Sequence, residues 1–516
     1  MKLAELLRDV PVLDVIGSTE IAIAEVRDDS RAVAAGDLFV AIPGLTVDGH
    51  HYLAAAAEQG AVAVVVERAE DAAAFPGTRV VVASSARALA LIASRRFGDP
   101  ARAMKLIGVT GTNGKTTTTH LVESMLLAAG KRPGILGTIH YRYPGASVAA
   151  PFTTPTPLEL HRVLAEMRAA GVTHVVLEAS SHALALGRLD GLEFRVGAFT
   201  NLTQDHLDFH GDMERYFAAK ALLLRRHLAP GEGVGVVLVD GEYGRRMASQ
   251  VAGERLIVSL EQESADIHAI ASRATIDGLE ATLASPLGLL RLRSRLLGNY
   301  NLANLAVAAG IGVALGLDIG AIERGLSELP GVPGRFERVV TPPGPGDGVP
   351  APEFAVLVDY AHTHDALENV LAALRPLTTG RLVCVFGCGG DRDKTKRPRM
   401  GHVVARDADI AIVTSDNPRT EDPAAILAMI LAGVAETGAP PLDEAALASA
   451  RRGVYVEADR RRAIAAAVAA ARPGDVVLIA GKGHEDYQII GKTRHPFDDR
   501  LEARDALARL PSRRQS

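Results

Sequence analysis

Short apolar runs alternate with helix-like patterns along most of this chain. The runs that predict strands cover residues 38–42, 61–67, 80–82, 174–178, 196–200, 234–239, 354–358, 382–386, 410–413 and 476–480. Apolar residues recur at helical spacing between them, for example at 52–59 and 86–96. Strands that are continuously apolar and separated by amphipathic helices are typical of parallel sheets covered on both faces. The pattern therefore predicts an α/β fold.

The segment Val109-Thr-Gly-Thr-Asn-Gly-Lys-Thr-Thr117 carries the clearest chemical signal. It follows an apolar run at 104–108 and precedes helical spacing at 118–129. A strand that enters a glycine-containing loop and then a helix directs backbone N–H groups and the positive helix end towards a phosphate. Gly111 and Gly114 allow the backbone to approach such a ligand closely.

Two side chains of this segment suit the phosphates of ATP. Lys115 can reach the terminal phosphates, and Thr116 can offer its hydroxyl to Mg²⁺. A strict P-loop has glycine at the position of Val109, and the alternative is an ordinary glycine-rich turn before a helix. Because the strand, the loop, the lysine and the threonine are in register, we predict that the chain binds ATP.

Composition suggests several domains and no polyanionic partner. The chain has 516 residues, which suggests roughly three domains of about 100–200 residues each. A net charge of −5 gives no electrostatic case for nucleic acid. The apolar runs are well short of the ~18 residues that indicate a membrane span. The N-terminus resembles the start of an amphipathic helix rather than a signal peptide, so we expect a cytoplasmic protein. Cys384 and Cys388 suit buried or loop thiols rather than a disulfide framework or a four-cysteine zinc site.

Two junctions that contain glycine and proline divide the chain. They are Phe97-Gly-Asp-Pro-Ala101 and Leu329-Pro-Gly-Val-Pro-Gly334. The three expected domains cover residues 1–101, 102–335 and 336–516. A further loop at 341–352 is rich in proline and glycine and predicts a flexible insertion between two strands of the last domain.

Polar clusters follow the predicted strands of the second and third domains. They lie at residues 110–116, 178–182, 201–210, 359–363, 389–394, 416–419 and 481–485. In sheets of this kind, ligands bind beyond the carboxyl ends of the strands. We therefore expect the active site between the second and third domains, with closure of the third on the second to exclude water.

Several polar residues have both a chemical and an ordinary interpretation. Glu178 ends a strand that should lie near the P-loop strand, where an acid can hold Mg²⁺ against nucleotide phosphates; helix capping is the alternative. Lys220 lies in an apolar helical stretch, where a lysine is most often a surface residue. Asn301 precedes a small-residue helix, so that its amide can either contact adenine or cap that helix. The 201–210 segment is weak alone, because capping explains its Asn and Asp residues.

In combination, these segments resemble the Mur ligases and the folylpolyglutamate synthases. The matching segments run in one order along nearly the whole chain. Besides the Thr-Gly-Thr-Asn-Gly-Lys-Thr loop, they are Glu178-Ala-Ser-Ser-His182, Thr200-Asn-Leu-Thr-Gln-Asp-His206, Tyr216-Phe-Ala-Ala-Lys220, Gly298-Asn-Tyr-Asn-Leu-Ala-Asn304, Pro333-Gly-Arg-Phe336 and Val358-Asp-Tyr-Ala-His362. The segments that resemble the diaminopimelate-adding Mur ligases are Asp29-Ser-Arg31, Gly36-Asp-Leu-Phe-Val40, Thr153-Thr154, Asp416-Asn-Pro-Arg419 and Gly481-Lys-Gly-His-Glu-Asp-Tyr487.

The resemblance implies a UDP-binding α/β domain, a central ATP-binding domain with a mainly parallel sheet, and a C-terminal Rossmann-like domain that binds an amino acid. It implies an ADP-forming ligase of peptidoglycan precursor synthesis, which joins meso-diaminopimelate to UDP-N-acetylmuramoyl-L-alanyl-D-glutamate through an acyl phosphate. ATP, Mg²⁺ and CO₂, the last as a lysine carbamate, are the implied co-substrate and cofactors. We expect a monomer with small-molecule partners, no nucleic acid and no membrane span. Lysine-adding ligases, folylpolyglutamate synthases and P-loop regulators or transport ATPases are the alternatives.

The resemblance also assigns residues to ligands. To ATP it assigns Gly111, Thr112, Asn113, Gly114, Lys115, Thr116, Thr117, Asn301 and Arg335. To the UDP-linked dipeptide it assigns Ser30, Thr153, Thr154, Ser180 and Arg188, and to diaminopimelate Arg392, Asp416, Asn417, Pro418, Arg419, Gly481 and Glu485. Mg²⁺ would be held by Thr116, Glu178, His206 and the carbamate of Lys220, with Lys115, Lys220 and His206 as catalytic residues.

This chain departs from the family pattern at two positions. Some relatives place an amide at the positions of Phe152 and Leu186, whereas both residues here are apolar. The base that accepts the proton of the incoming amine is left open between His206, His362 and a phosphate oxygen.

Overall fold

The structure is a computed structural model that describes residues 1–44, 47–340 and 353–510. The loop at 341–352, where we predicted a flexible insertion, lies outside the described residues. Within those ranges, no helix combines the length and the apolar character that a bilayer crossing requires. The chain divides into two compact units. The first comprises Met1–Ile270, Thr282–Arg291 and Ala303–Leu326, and the second comprises Ala271–Ala281, Leu292–Leu302 and the residues from Ser327 onward.

The N-terminal segment folds around a five-stranded sheet in the order β1-β5-β4-β3-β2. Its strands are β1 Val12–Ile16, β2 Val26–Arg27, β3 Leu38–Val40, β4 Ala63–Val66 and β5 Thr78–Val82, and its α-helices are α1 Leu3–Leu6, α2 Leu53–Glu58 and α3 Ser85–Arg96. Strands β2 to β5 pair in parallel, whereas β1 is antiparallel to β5. Alternate side chains of β4 enter two different apolar clusters, Ala63 and Val65 on one face and Val64 and Val66 on the other. Both faces are therefore covered, as the continuous apolar runs predicted.

The central segment contains an eleven-stranded sheet in the order β16-β15-β14-β13-β12-β11-β6-β10-β7-β8-β9. Its strands are β6 Lys105–Thr110, β7 Pro133–Leu136, β8 His140–Tyr143, β9 Ala146–Ala149, β10 His174–Glu178, β11 Phe194–Phe199, β12 Val234–Leu238, β13 Glu254–Ser259, β14 Ile267–Thr275, β15 Gly278–Ser285 and β16 Gly288–Ser294. The α-helices are α4 Lys115–Ala128, α5 Pro157–Ala169, α6 Ser181–Ala185, α7 Leu207–His210, α8 Met213–Arg226, α9 Glu242–Ala248, α10 Asn299–Ala314 and α11 Ile319–Glu328. The P-loop strand β6 lies between β10 and β11 and is parallel to both, so the expected proximity of the Glu178 strand is confirmed.

The helix after the P-loop begins earlier than the sequence pattern suggested. We predicted it from residue 118, but α4 begins at Lys115. The turn between β6 and α4 is compressed into four residues because Gly111 and Gly114 adopt φ values of +152° and +85°, which glycine reaches without steric cost. Thr116 and Thr117, which we assigned to the loop, are buried within the helix.

The C-terminal segment contains a six-stranded sheet in the order β17-β18-β22-β19-β20-β21 and a separate hairpin, β23-β24. The strands are β17 Glu337–Arg338, β18 Ala355–Asp359, β19 Leu382–Phe386, β20 Ile410–Val413, β21 Gly453–Val456, β22 Val476–Ala480, β23 Tyr487–Ile490 and β24 Thr493–Pro496. The α-helices are α12 His364–Leu374, α13 Lys396–Asp407, α14 Pro423–Ala435, α15 Glu444–Leu447, α16 Arg460–Ala470 and α17 Asp499–Ala508. Strands β18 to β22 pair in parallel and are almost entirely apolar. Cys384 and Cys388 are buried free thiols, as predicted.

Candidate active site

The P-loop is held from both sides by its own residues and by the end of β11. Lys115 lies over the loop and donates from Nζ to the carbonyl oxygens of Gly111 and Thr112, each at 2.8 Å. Thr200 Oγ1 donates to the carbonyl oxygen of Asn113 at 2.6 Å. The side chain of Asn201 accepts from the N–H of Asn113 at 2.9 Å. The loop is thus preorganised by contacts that the end of a neighbouring parallel strand supplies.

Lys220 is not a surface lysine. Its side chain on α8 is only 1% exposed, and its Nζ donates to the carbonyl oxygen of Gly111 at 2.7 Å. The ammonium also lies 4.6 Å from the centre of the Tyr216 ring. Burial lowers the pKa of Lys220 well below its ordinary value, and the charge of Lys115 lowers it further. A buried amine beside the phosphate loop can exist in the neutral form.

Glu178 faces the first turn of the P-loop helix. Its carboxylate accepts from Thr116 Oγ1 at 3.1 Å and from Thr138 Oγ1 at 2.9 Å, and also from the N–H of Thr138. Gly137 has no room for a side chain, because an added Cβ would overlap Glu178 Oε1. The carboxylate is therefore fixed next to the hydroxyl that the P-loop offers.

These oxygens suit a magnesium ion. Mg²⁺ is usually held by one or two protein oxygen ligands together with waters and substrate phosphates. Among the described residues no group of three or more His, Cys, Asp or Glu side chains could hold a metal alone. Thr116 and Glu178 are hard oxygen donors beside the phosphate loop, so the residues present fit Mg²⁺ bound jointly with nucleotide phosphates.

His206 stands near the same region in a left-handed backbone conformation, with φ +53°. Its ring packs edge-on against His182 at 4.9 Å and Tyr216 at 6.0 Å between ring centres, and its Nε2 lies 3.4 Å from Asp205. Burial lowers the pKa of His206, opposed by Asp205, and the charges of Lys115 and Lys220 lower it as well. A neutral imidazole is the form that binds a metal ion or accepts a proton.

The residues predicted to bind the UDP-linked dipeptide gather at the end of β10. Thr154 Oγ1 lies 3.0 Å from Ser180 Oγ, and Thr153 Oγ1 lies 3.1 Å from Thr138 Oγ1. Arg188 donates to the carbonyl oxygen of Thr154 at 3.2 Å. Ser30 lies apart from them in sequence, on a short 3₁₀ helix, Ser30–Ala32.

The two apolar departures from the family pattern lie beside this group. Phe152 is 52% exposed, and its ring centre lies 5.7 Å from the guanidinium of Arg188. Leu186 directly follows α6 and is half-buried. Phe152 offers a cation–π contact to Arg188 where an amide would offer hydrogen bonds.

In the second unit, three residues predicted to bind diaminopimelate form one cluster, in which Asp416 and Asn417 are buried and Glu485 is half-buried. Asn417 Nδ2 donates to Glu485 Oε2 at 3.1 Å, and Asp416 lies next to it in the chain. Burial alone would raise the pKa of Asp416, but Lys482 and Arg460 outweigh burial and hold it below its ordinary value. Burial raises the pKa of Glu485. The cluster presents charge and an amide beyond the carboxyl ends of β20 and β22.

The other predicted residues of this set surround the cluster. Arg419 adopts a left-handed φ of +52°, and its Nη1 donates to the carbonyl oxygen of Gly390 at 2.8 Å. Pro418 is buried, Arg392 is exposed, and the N–H of Gly481 donates to the carbonyl oxygen of Asp359 at 3.0 Å. Gly390 leaves space for this arrangement, because an added Cβ would overlap the carbonyl of Pro418.

The two nucleotide candidates of the second unit occupy a region rich in aromatic rings. Asn301 Nδ2 donates to the carbonyl oxygen of Leu297 at 2.7 Å, a local contact at the start of α10. The Arg335 guanidinium lies 4.6 Å from the centre of the Tyr360 ring, while Tyr300 stacks on Phe336 with 5.3 Å between ring centres. A flat cation and stacked rings can accommodate an adenine base.

Sequence reasoning missed Thr138, which contacts Glu178 through both its backbone and its hydroxyl. The segment Gly137-Thr138 directly follows strand β7, and a polar residue at the end of a strand was the available signal. On its own, one glycine followed by one threonine resembles an ordinary turn.

The central sheet is largely parallel and carries a phosphate loop with Glu178 beside it, and a further, mostly parallel sheet follows in the C-terminal segment. These features are typical of a nucleotide-binding α/β enzyme of several domains. Family comparisons define it further. The N-terminal part, residues 22–97, matches the Mur ligase family catalytic domain, 109–312 the Mur ligase middle domain, and 334–483 the Mur ligase glutamate ligase domain. The chain belongs to the Mur ligase family, and the predicted three-domain α/β fold is confirmed.

Named relatives match along the whole length. The chain is 48% identical over 517 residues to UDP-N-acetylmuramoyl-L-alanyl-D-glutamate–2,6-diaminopimelate ligase of Gloeobacter violaceus, with 99% of each chain covered. It is 45% identical to the enzyme of the same name from Trichormus variabilis, covering 98% of this chain and 99% of that one. A solved structure of a ligase with this name has 32% identity, a TM-score of 0.68, and coverage of 98% and 99%. Folylpolyglutamate synthase of Mycobacterium tuberculosis shares the fold, with 20% identity and a TM-score of 0.58 over 76% of this chain and 92% of that one.

Proposed function

We propose that this chain is an ATP-dependent, ADP-forming ligase that joins meso-diaminopimelate to UDP-N-acetylmuramoyl-L-alanyl-D-glutamate during peptidoglycan precursor synthesis. The observation that carries the proposal is full-length similarity to ligases with this name, in a chain with a phosphate loop backed by Glu178 and a buried charged cluster around Asn417. ATP and a UDP-linked precursor favour the cytoplasm as the place of action.

The residues of the first unit support activation of the D-glutamyl carboxylate. A carboxylate oxygen attacks the γ-phosphorus of ATP, the bond to ADP breaks, and an acyl phosphate forms. Lys115 and the loop amides are placed to neutralise charge on the transferring phosphoryl group. Thr116, Glu178, His206 and Lys220 as its carbamate would hold Mg²⁺, which supplies positive charge between the phosphates. Ser30, Thr153, Thr154, Ser180 and Arg188 would hold the UDP-linked dipeptide.

The second unit would supply the amino acid. Arg392, Asp416, Asn417, Pro418, Arg419, Gly481 and Glu485 would hold diaminopimelate, and Asn301 and Arg335 the nucleotide. The neutral amine attacks the acyl carbon to form a tetrahedral intermediate, the C–O bond to phosphate breaks, and the amine loses a proton. His206, His362 and a phosphate oxygen are the candidate acceptors of that proton. The neutral state that burial favours at His206 suits such a role.

An ADP-release assay tests the proposal directly. With ATP and Mg²⁺ present, we expect ADP only when both UDP-N-acetylmuramoyl-L-alanyl-D-glutamate and meso-diaminopimelate are added. Lys115→Ala should fold normally and lose roughly 10²–10³ in turnover, because it removes one contact to the transferring phosphoryl group. ADP formation without either substrate would instead indicate a P-loop ATPase, and an equal rate with L-lysine would indicate the lysine-adding ligases.

A further inference from the structure

Lys482 is a buried cation to which the motif resemblance assigns no role. It follows Gly481 directly beyond strand β22, and none of its surface is exposed. A lysine is almost never fully buried unless it is paired. Its partners therefore indicate what the residue does.

The Lys482 ammonium contacts the residues of the proposed amino-acid site. Its Nζ donates to Asn417 Oδ1 at 3.0 Å and to the carbonyl oxygen of Tyr487 at 2.7 Å. The same nitrogen lies 3.1 Å from Asp416 Oδ1 and 3.7 Å from Glu485 Oε2. One buried cation thus reaches all three members of the charged cluster.

These contacts determine which way the Asn417 amide faces. Its Oδ1 accepts from both Lys482 Nζ and the N–H of Ile489, the latter at 2.9 Å. With the oxygen occupied twice, the Nδ2 group is directed towards Glu485 Oε2. An amide orientation is set by its hydrogen-bond network, and here two donors on the oxygen side fix it.

The ammonium also balances the charge of the cluster. Asp416 is buried and Glu485 half-buried, and two carboxylates beside the same nitrogen repel each other. The other buried cation nearby, Arg460, makes a two-pronged ion pair with Asp499 at 2.7 and 2.8 Å. Among the residues that the structure describes, Lys482 is the cation whose nitrogen lies within 4 Å of both carboxylates.

We propose that Lys482 is the positioning residue of the amino-acid site, which fixes the Asn417 amide and keeps Asp416 and Glu485 close together without touching the substrate. The inference rests on the proposed function, in which these three residues bind diaminopimelate. Loss of the ammonium should then weaken recognition of the amino acid and leave the nucleotide and dipeptide sites intact.

The test compares the KM of each substrate in two variants and a matched control. Lys482→Met removes the cation but keeps the length of the side chain, whereas Lys482→Gln keeps a donor for Asn417 without the charge. Arg381→Met is the control, because it removes another buried cation of the same sheet, one that pairs with Asp475 at the opposite, amino-terminal strand ends. Thermal unfolding is measured for all three.

For Lys482→Met we expect the KM for meso-diaminopimelate to rise roughly 10–100-fold, because Asn417, Asp416 and Glu485 lose the ammonium that holds them. The KM values for ATP and the dipeptide should stay within about twofold. Lys482→Gln should show a smaller rise, and Arg381→Met a lower melting temperature with no selective change in KM. An unchanged KM for the amino acid, or equal changes for all substrates as in the control, would overturn the role of Lys482. A wild-type enzyme that makes no ADP with meso-diaminopimelate would refute the proposed function itself.

Discussion

At the scale of single residues, the ammonium groups of two lysines donate to the same carbonyl oxygen. Lys115 and Lys220 both donate to Gly111, at 2.8 and 2.7 Å. Two cations so close repel each other, which adds to the burial that depresses the pKa of Lys220. Reaction of its neutral amine with CO₂ would replace the repulsion by attraction, because a carbamate is an anion.

Lys220→Ala should therefore be almost inactive, with a loss on the order of 10²–10³, and millimolar acetate or formate should partly restore activity by supplying an anion in the vacated space. The measurement is the rate of ADP formation with and without the added carboxylate. Lys131→Ala, at an exposed site of the same unit, is the control and should respond to neither. Full activity of Lys220→Ala without any carboxylate would contradict the carbamate.

Arg419 should select meso-diaminopimelate over L-lysine. Its backbone is held by the carbonyl oxygen of Ile489 and the N–H of Gly491, so that the guanidinium is presented from a fixed position. A guanidinium can bind the distal carboxylate through two charge-assisted hydrogen bonds of about 1.5–3 kcal/mol each, whereas lysine would place an ammonium there. We expect discrimination in kcat/KM of about 10⁴ in the wild type and a large loss of it in Arg419→Ala. Exposed Arg451→Ala is the control, and unchanged discrimination in Arg419→Ala would exclude this role.

The sequence identified many of the candidate site residues but not the contacts that hold them in place. The lysines, Glu178 and Asn417 could be proposed from motifs, but the donors that hold them could not. Thr138 and Lys482 act through three-dimensional proximity, and nothing in the local sequence distinguishes them from a turn threonine and an ordinary lysine. Burial of Lys220 was likewise invisible, because the same spacing suits a lysine whose stem lies on an apolar surface.

At the scale of elements, the connection between β7 and β8 crowds the end of β10. Gly137→Ala should push Glu178 away from Thr116, because the new Cβ would overlap Oε1 while the backbone conformation, which is not left-handed, accepts alanine. We expect the Mg²⁺ concentration for half-maximal activity to rise roughly 10–100-fold, with little change in the melting temperature.

Gly320→Ala in helix α11 is the matched control for this prediction. An added Cβ there meets only the ends of the Arg324 and Asp318 side chains, so the Mg²⁺ dependence should stay at the wild-type value. The same Mg²⁺ dependence in both variants would mean that Glu178 does not serve the metal.

Strands that are apolar along their whole length gave the clearest signal in the sequence, and several strands with an exposed face were missed. Strands β19, β20 and β22 match the predicted ranges because they are apolar on both faces. Strand β15 was missed because its buried residues, Leu279, Ala281 and Leu283, alternate with more exposed ones. Strand β8, with the sequence His140-Tyr-Arg-Tyr143, is also only partly buried. A continuous apolar run is typical of a strand covered on both sides, so a search for such runs passes over strands with an exposed face.

At the scale of the whole molecule, the two substrates that the ligase would join are assigned to different units. The proposed dipeptide residues lie in the first unit and the proposed diaminopimelate residues in the second. Binding at about 100 times Kd stabilises the bound part by about 2.7 kcal/mol, which should slow local amide exchange about 100-fold. Hydrogen exchange should therefore show the UDP-linked dipeptide protecting residues around 153–188 and diaminopimelate protecting residues around 416–419 and 481–487. Protection of the first unit alone by diaminopimelate would contradict the assignment.

The two cysteines lie in and just after strand β19 of the six-stranded sheet, so their reactivity should report local unfolding of that sheet. Burial raises the pKa of the Cys388 thiol to about 12 and that of Cys384 as well, and a thiol reacts with alkylating agents only as the exposed thiolate. We expect iodoacetamide to leave the native enzyme fully active and to label both positions in urea. The rate of labelling without denaturant would then measure how often the C-terminal segment unfolds locally, and the native cysteines would make an engineered labelling site unnecessary. Rapid loss of activity in native buffer would show that the sheet opens readily.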